Sequence, residues 1–242
     1  MRKLNLLVIL ALCTSTLFII SCNDDTEPLI EEEPQETVTD VDGNEYQTIT
    51  LGDQTWMLEN LKTTKYNDGT PITKYVYGND WHHGNTQLPY YQWADTLDLN
   101  HVHDEALPFD YYGAMYNHYA IETGKLAPEG WRIPTEQDFK ELEAFIATDG
   151  NSGHEATVLK STKGWVDSSG NGTDLYGFNA LPNGYINTGG GAGAGGVICT
   201  WATTDIDVAM GRRITINLFD EDTILYSDNA IQVGAGIRCI KE

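Results

Sequence analysis

Three sets of side chains in this 242-residue chain have the types and spacing to do chemistry. The first is a single thiol, Cys22, which follows basic Arg2-Lys3, an apolar stretch over residues 4–20 and small Ser21. That order of charge, apolar run and small residue is the pattern of a secretory leader. A cysteine directly after the small residue matches a bacterial lipobox, in which lipid is joined to the sulfur and the leader is cut before it. The second set lies in residues 75–110: Trp81, Tyr90, Tyr91 and Trp93 stand beside Asn79, Asp80, Gln92 and Asp95. Sugar rings present apolar C–H faces, so flat aromatics among carboxamides and carboxylates form a glycan-contact chemistry. The competing account is that these rings anchor a long insert onto the domain. The third set is Cys199 and Cys239, each in an apolar, strand-like run.

Histidines add a fourth, weaker pattern. His101 and His103 fall on one side of an extended segment with Asp104 and Glu105 next door, and His82 or His83 would supply a third ligand for zinc or copper. Solvent-facing loop histidines are the commoner reason for such a pattern, so no metal site is assigned. Asp40, Asp42 and Asn44 have the odd-position spacing that opens a calcium loop, but the helices and the closing glutamate are missing and Asp42-Gly43 is a hairpin turn signal. No cofactor is expected, calcium being the one ion that the acidity leaves open.

Charge sets the class of partner. The chain has 14 basic and 36 acidic residues, a formal charge of −22; losing Arg2 and Lys3 with the leader leaves 12 basic residues and −24. Phosphate binding relies on Lys and Arg to release counterions, which excludes nucleic acid as a partner. The Walker loop, the zinc-protease helix and the hydrolase nucleophile elbow are all missing from the sequence. The glycine run at 189–196 has no lysine and opens no helix, so it reads as a mobile loop and not a phosphate cradle.

The elements that must position these groups follow from periodicity. Residues 1–21 are the leader, 22–38 an acidic flexible tether rich in Glu and Pro, and 39–242 one domain with enough chain for a real core. Alternating residues over 37–51 flank the Asp42-Gly43 turn. Thr135 is the N-cap of the clearest helix, with Asp138 three positions on; Phe139, Leu142 and Ile146 share a face and Asp149-Gly150-Asn151 stops it. A shorter helix is expected within 110–120, and final strands at 197–202, 212–219, 223–227 and 236–241. A disulfide between Cys199 and Cys239 fits an oxidising compartment; two buried thiols that never meet are the alternative.

These landmarks, in order, resemble a family. Asp42-Gly43-Asn44-Glu45-Tyr46, Trp56-Met57-Leu58-Glu59-Asn60-Leu61, Tyr112-Gly113-Ala114-Met115-Tyr116, Gly130-Trp131-Arg132-Ile133-Pro134-Thr135, Tyr176-Gly177-Phe178-Asn179-Ala180-Leu181-Pro182, Trp201-Ala202-Thr203-Thr204 and Ile237-Arg238-Cys239-Ile240-Lys241 are similar to the Fibrobacter succinogenes major paralogous domain over residues 39–242. The resemblance implies an α+β, C-type-lectin-like domain: a twisted antiparallel sheet with one or two helices and long loops. Arg132 to Phe139 is also similar to a stretch of formylglycine-generating enzymes. It makes Trp56, Trp131, Trp165 and Trp201 core residues. Many members carry a cysteine where this chain has Ala127, so by this resemblance Cys239 lacks its usual partner, which leaves Cys199 as the substitute or neither.

The expectation from these readings is a non-catalytic, lectin-like binding or adhesion lipoprotein on the outer face of the outer membrane, held by its lipid at Cys22 and facing a glycan or protein ligand. Acidic Asp24, Asp25 and Glu27 just behind Cys22 resemble a surface-export signal of Bacteroidota. Two rivals stand beside it: an accessory or structural outer-membrane subunit that binds another protein, and an enzyme of the formylglycine-generating type.

Overall fold

In the strand Glu45–Leu51, alternation over residues 45–48 buries Tyr46 and Thr48 and exposes Glu45 and Gln47, so this strand has one face to cover. The structure is a computed structural model; it describes residues 36–76, 81, 88–94, 107–166, 169–207 and 209–242. The first part of the chain forms β1 (Thr37–Thr39), β2 (Glu45–Leu51), β3 (Gln54–Met57), β4 (Thr73–Lys74), β5 (Tyr90–Trp93) and β6 (Ala114–Tyr116). Helix α1 (His118–Glu122), β7 (Trp131–Arg132), α2 (Glu136–Ile146) and α3 (Glu155–Leu159) follow. The C-terminal part adds β8 (Tyr185–Ile186), β9 (Ala192–Gly193), β10 (Cys199–Asp207), β11 (Arg212–Leu218), β12 (Leu225–Ala230) and β13 (Ile240–Lys241).

The fold is mixed α+β and mostly antiparallel. One sheet runs β1-β2-β3-β13-β7, a second β10-β11-β12, a third β4-β5-β6 with β4 and β5 parallel, and β8 pairs with β9. The predicted turn closes β1 onto β2. Asp40 accepts the Asp42 and Asn44 amides on Oδ1, and the Asn44 amide group and Tyr46 hydroxyl on Oδ2. Asp42 in turn holds Thr64 and Lys65. The Asp40 carboxylate is thus taken up within the turn, and that of Asp42 by the segment at Thr64 and Lys65.

Helix α2 begins where the sequence places it. Thr135 Oγ1 accepts the Asp138 amide at 3.2 Å and Asp138 accepts the Thr135 amide at 2.6 Å. Phe139, Leu142 and Ile146 are fully buried and join a cluster with Trp56, Phe178, Trp201, Ile216 and Leu218. Phe139 lies 4.9 Å from Trp56 and stacks on Trp201 at 5.8 Å. Truncating such a ring to Ala costs about 3–5 kcal/mol. A single π-turn, Ala147–Asn151, ends the helix with Gly150 at φ 91°. As expected, Trp56, Trp131, Trp165 and Trp201 are all buried.

Several elements differ from the expectation. Ala114–Tyr116 is a strand, and helix α1 starts only after Asn117, whose side chain accepts the Ala120 amide. The last strand covers Ile240–Lys241 instead of 236–241, because Gly234, Ala235 and Gly236 are spent bridging Ile186, Tyr116 and Trp201. A Cβ on Gly234 would sit 2.6 Å from the Trp81 ring, which leaves glycine as the only fit. The 189–196 run is an ordered hairpin end and not a free loop: Ala192–Gly193 pairs with Tyr185–Ile186, and Gly190, at φ 83°, packs so closely on Tyr75 that any side chain would strike the phenol. Among the described residues, no helix is long and apolar enough to cross a membrane.

Candidate functional site

The aromatic set predicted as a contact surface divides on folding. Trp81 is 2 % exposed, its indole N–H donates to the Gln232 carbonyl at 3.0 Å, and it packs with Tyr75, Tyr112, Met115 and Ile186. This corrects its assignment: Trp81 is core. Tyr91 is buried too, in a strand and not a loop, and Tyr90 leans on Tyr75 at 5.8 Å. The physical reason is that β5, held between β4 and β6, alternates its faces. Tyr90 packs on the satellite cluster of Tyr75 and Trp81, and Tyr91 joins a separate core cluster with Tyr46, Met57 and Tyr116. Trp93 is half-buried, 5.1 Å from the exposed Phe109 ring. Asn79, Asp80, His82, His83, His101, His103 and Cys22, the expected site of lipidation, lie outside the described residues.

The predicted disulfide is also corrected. Cys199 and Cys239 are free and fully buried, in two different core clusters, with the Arg238 guanidinium acting on each. Burial raises both thiols, Cys239 to about 12 and Cys199 further, with Arg238 opposing in each case. Neither is a nucleophile at neutral pH.

A different concave site lies on the sheet β10-β11-β12. Cross-strand partners share a face. Trp201, Ile216 and Tyr226 are paired in register and face the core built on α2. The opposite face carries Thr200, Asn217 and Leu225 in one row, then Thr215 with Ser227, then Arg213 with Asn229. Thr200 and Ile198 from β10 and its approach, Asn217 and Phe219 from β11 and its exit, and Leu225, Ser227 and Asn229 from β12 line a pocket of about 330 Å³, closed by Tyr185 and Val233. Every one of these side chains is uncharged, in a chain with 36 acidic residues.

Hydrogen bonds fix this face from within. Asn217 Nδ2 donates to Thr215 Oγ1 at 3.2 Å and Asn229 Nδ2 to the same oxygen at 2.7 Å. With both nitrogens on Thr215, the carboxamide oxygens are left as acceptors without a partner among the described residues. Thr200 is 2 % exposed, and its hydroxyl has no hydrogen-bond partner there either. Behind Asn229, Arg213 donates to the Thr203 carbonyl and to His118 Nδ1, and His118 Nε2 stands 3.1 Å from Glu122. Burial pushes Arg213 down to about 10, with Glu122 and Asp205 opposing. This buried chain holds the polar end of the sheet; it does not line the pocket.

A second hollow, of about 570 Å³, borders Thr39, Asp40, Asn67, Glu129, Trp131 and Glu242. Its Asp40 is committed to the β1–β2 turn, which makes it the poorer candidate. The pocket on β10-β11-β12 went unread in the sequence, although one signal was there. Arg213, Thr215 and Asn217 alternate with Ile214, Ile216 and Leu218, which marks a strand with a polar outer face.

A family model for the Fibrobacter succinogenes major domain matches residues 49–241. No curated protein and no solved structure matches the chain.

Proposed function

Because the chain belongs to the Fibrobacter succinogenes major domain family, we propose that it is a lipid-anchored, non-catalytic binding protein of the cell surface with a C-type-lectin-like domain. Its ligand is a glycan, taken in the pocket on β10-β11-β12. One observation carries this reading: an uncharged hollow with two aromatic rings, Tyr185 and Phe219, and two carboxamides, Asn217 and Asn229, in a strongly acidic chain. Aromatic faces suit sugar C–H groups, and carboxamide oxygens accept sugar hydroxyls. The anchor is Cys22, on the outer leaflet of the outer membrane. The buried thiols support the non-catalytic reading, since a formylglycine-generating type of chemistry needs a reactive cysteine.

The protein-partner reading draws on Val76, Leu88 and Phe109, exposed apolar side chains at the ends of β4, β5 and β6. A glycan array probed with the chain from Thr26 onward, with calcium and with chelator, separates the two. Selective hits lost in Asn217→Ala and Asn229→Ala are expected. A blank array with folded protein would remove the glycan reading and leave the protein partner, to be sought by crosslinking on intact cells.

A further inference from the structure

The geometry of this pocket points to a narrower ligand: one uncharged sugar ring at the end of a glycan, anchored by Thr200 and bound without a divalent cation. This rests on the glycan reading of the same pocket and adds the ligand class and the residue that selects it.

Thr200 carries the argument. A buried hydroxyl without a hydrogen bond costs free energy, and valine would fill the same space without that cost. Thr200 is paired in register with Asn217 on the pocket face, is almost wholly buried and borders the hollow. The Oγ1 is covered by protein, so the side chain turns toward the hollow as a ligand hydroxyl reaches the pocket floor and supplies the missing partner. Asn217 and Asn229, their nitrogens held by Thr215, present acceptors that are fixed before the ligand arrives, which limits the ordering cost of binding.

Charge defines what is refused. A carboxylate or phosphate would lose water in this pocket and meet carboxamide oxygens in place of a cation. An amine would find no carboxylate among the lining residues. Calcium needs six or more oxygen ligands, usually with carboxylates among them, and the lining supplies no carboxylate. The volume, about 330 Å³, is at the lower end of ligand pockets and suits one ring, with Tyr185, 36 % exposed, at the rim for the next.

The test uses the full acylated chain in a sugar-free detergent, with saturation-transfer NMR and competition against the best array glycan. The probes are methyl α-mannopyranoside, methyl β-galactopyranoside, N-acetylglucosamine, glucuronic acid and N-acetylneuraminic acid. At least one neutral ring should bind and compete, with and without chelator, while both acids fail. Thr200→Val should weaken that binding about tenfold, the worth of a hydrogen bond of about 1.4 kcal/mol. The same substitution should raise the Tm of the free protein by about 2–4 °C, because it removes an unpaired polar atom. A merely structural threonine would lose stability and binding together. Equal binding of the acids, dependence on calcium, or unchanged affinity in Thr200→Val would overturn this inference while array binding still upheld the lectin reading. Failure of the wild-type chain to bind any array glycan would overturn both.

Discussion

Arg238 is fully buried, and Glu59 and Asp174 act on it only as more distant charges. Its guanidinium lies 4.9 Å from the Phe178 ring and 5.1 Å from Trp201. It donates to the carbonyls of Leu58 and Phe178 at 2.6 and 2.8 Å and to Asn60 Oδ1 at 3.2 Å. Burial drives its pKa down to about 10, yet the side chain stays charged at neutral pH, which keeps all these donors in use. One side chain thereby joins the end of β3, the 178–179 loop and the approach to β13. Arg238→Met should cost at least about 3 kcal/mol, because several buried acceptors are orphaned at once. Arg238→Lys should recover little, since a point charge cannot copy the planar fork. Urea unfolding of the two variants checks this, and a loss below about 1 kcal/mol in either would show the hub to be dispensable. At this scale the sequence was legible where a residue's fate is shared with its neighbours. The family motifs marked Trp56 and Trp201 as core, but nothing local separates a contact aromatic such as the expected Trp81 from a core one. Its burial depends on Met115, Ile186 and Gly234 arriving from far along the chain. Thr200 was invisible for the same reason, because a lone unpaired hydroxyl is a property of the surroundings.

Helix α2 is the element whose sequence says most about it. Beyond the capping box, Asp138 takes both guanidinium nitrogens of Arg132 at 2.6 and 2.7 Å, and Asp205 accepts the Glu136 amide at 2.6 Å. The helix start is therefore clamped to β7 on one side and β10 on the other. Thr135→Ala should destabilise by about 1 kcal/mol, read as a shift of the urea midpoint with unchanged slope. Burial alone would raise the Asp138 pKa, but the bonds from Arg132 and Thr135 outweigh it and hold the carboxyl below its ordinary 3.8. The stabilisation from this group is thus complete above that value and is lost as the pH falls through the lower folded pKa. Asp138→Asn should flatten this acid limb, so that mutant and wild-type midpoints converge toward pH 2; a constant gap from pH 7 to pH 2 would assign the effect to packing. Helix signals are local, which is why Thr135, Asp138 and the Phe139-Leu142-Ile146 face could be read in advance. The strand order β1-β2-β3-β13-β7 could not, because it pairs Ile240 with Trp56 and Arg132 across most of the domain. The glycine run became a hairpin for a reason of the same kind: Tyr75 closes on Gly190 from over a hundred residues away.

Charge is the property of the whole molecule that bears on its partner. With 36 acidic against 14 basic residues, the surface field attracts cations and repels anions over roughly a screening length. The pocket on β10-β11-β12 stands apart from that field in its lining, which is wholly uncharged. The two partner classes therefore respond to salt differently. A neutral glycan feels no net force from the acids, so its on-rate and affinity should be nearly flat as the screening length shrinks from about 30 Å at 0.01 M salt to about 8 Å at 0.15 M. A basic protein partner would be steered by those acids, and its on-rate would fall steeply over the same range. Surface plasmon resonance of the chain against its best array glycan and against intact outer-membrane extract, at both salts, reads this directly. Less than a twofold change in glycan affinity is expected. A drop of tenfold or more would mean that the acidic surface, and not the neutral pocket, makes the contact, and would move the binding site to the carboxylates around Asp40, Glu129 and Glu242.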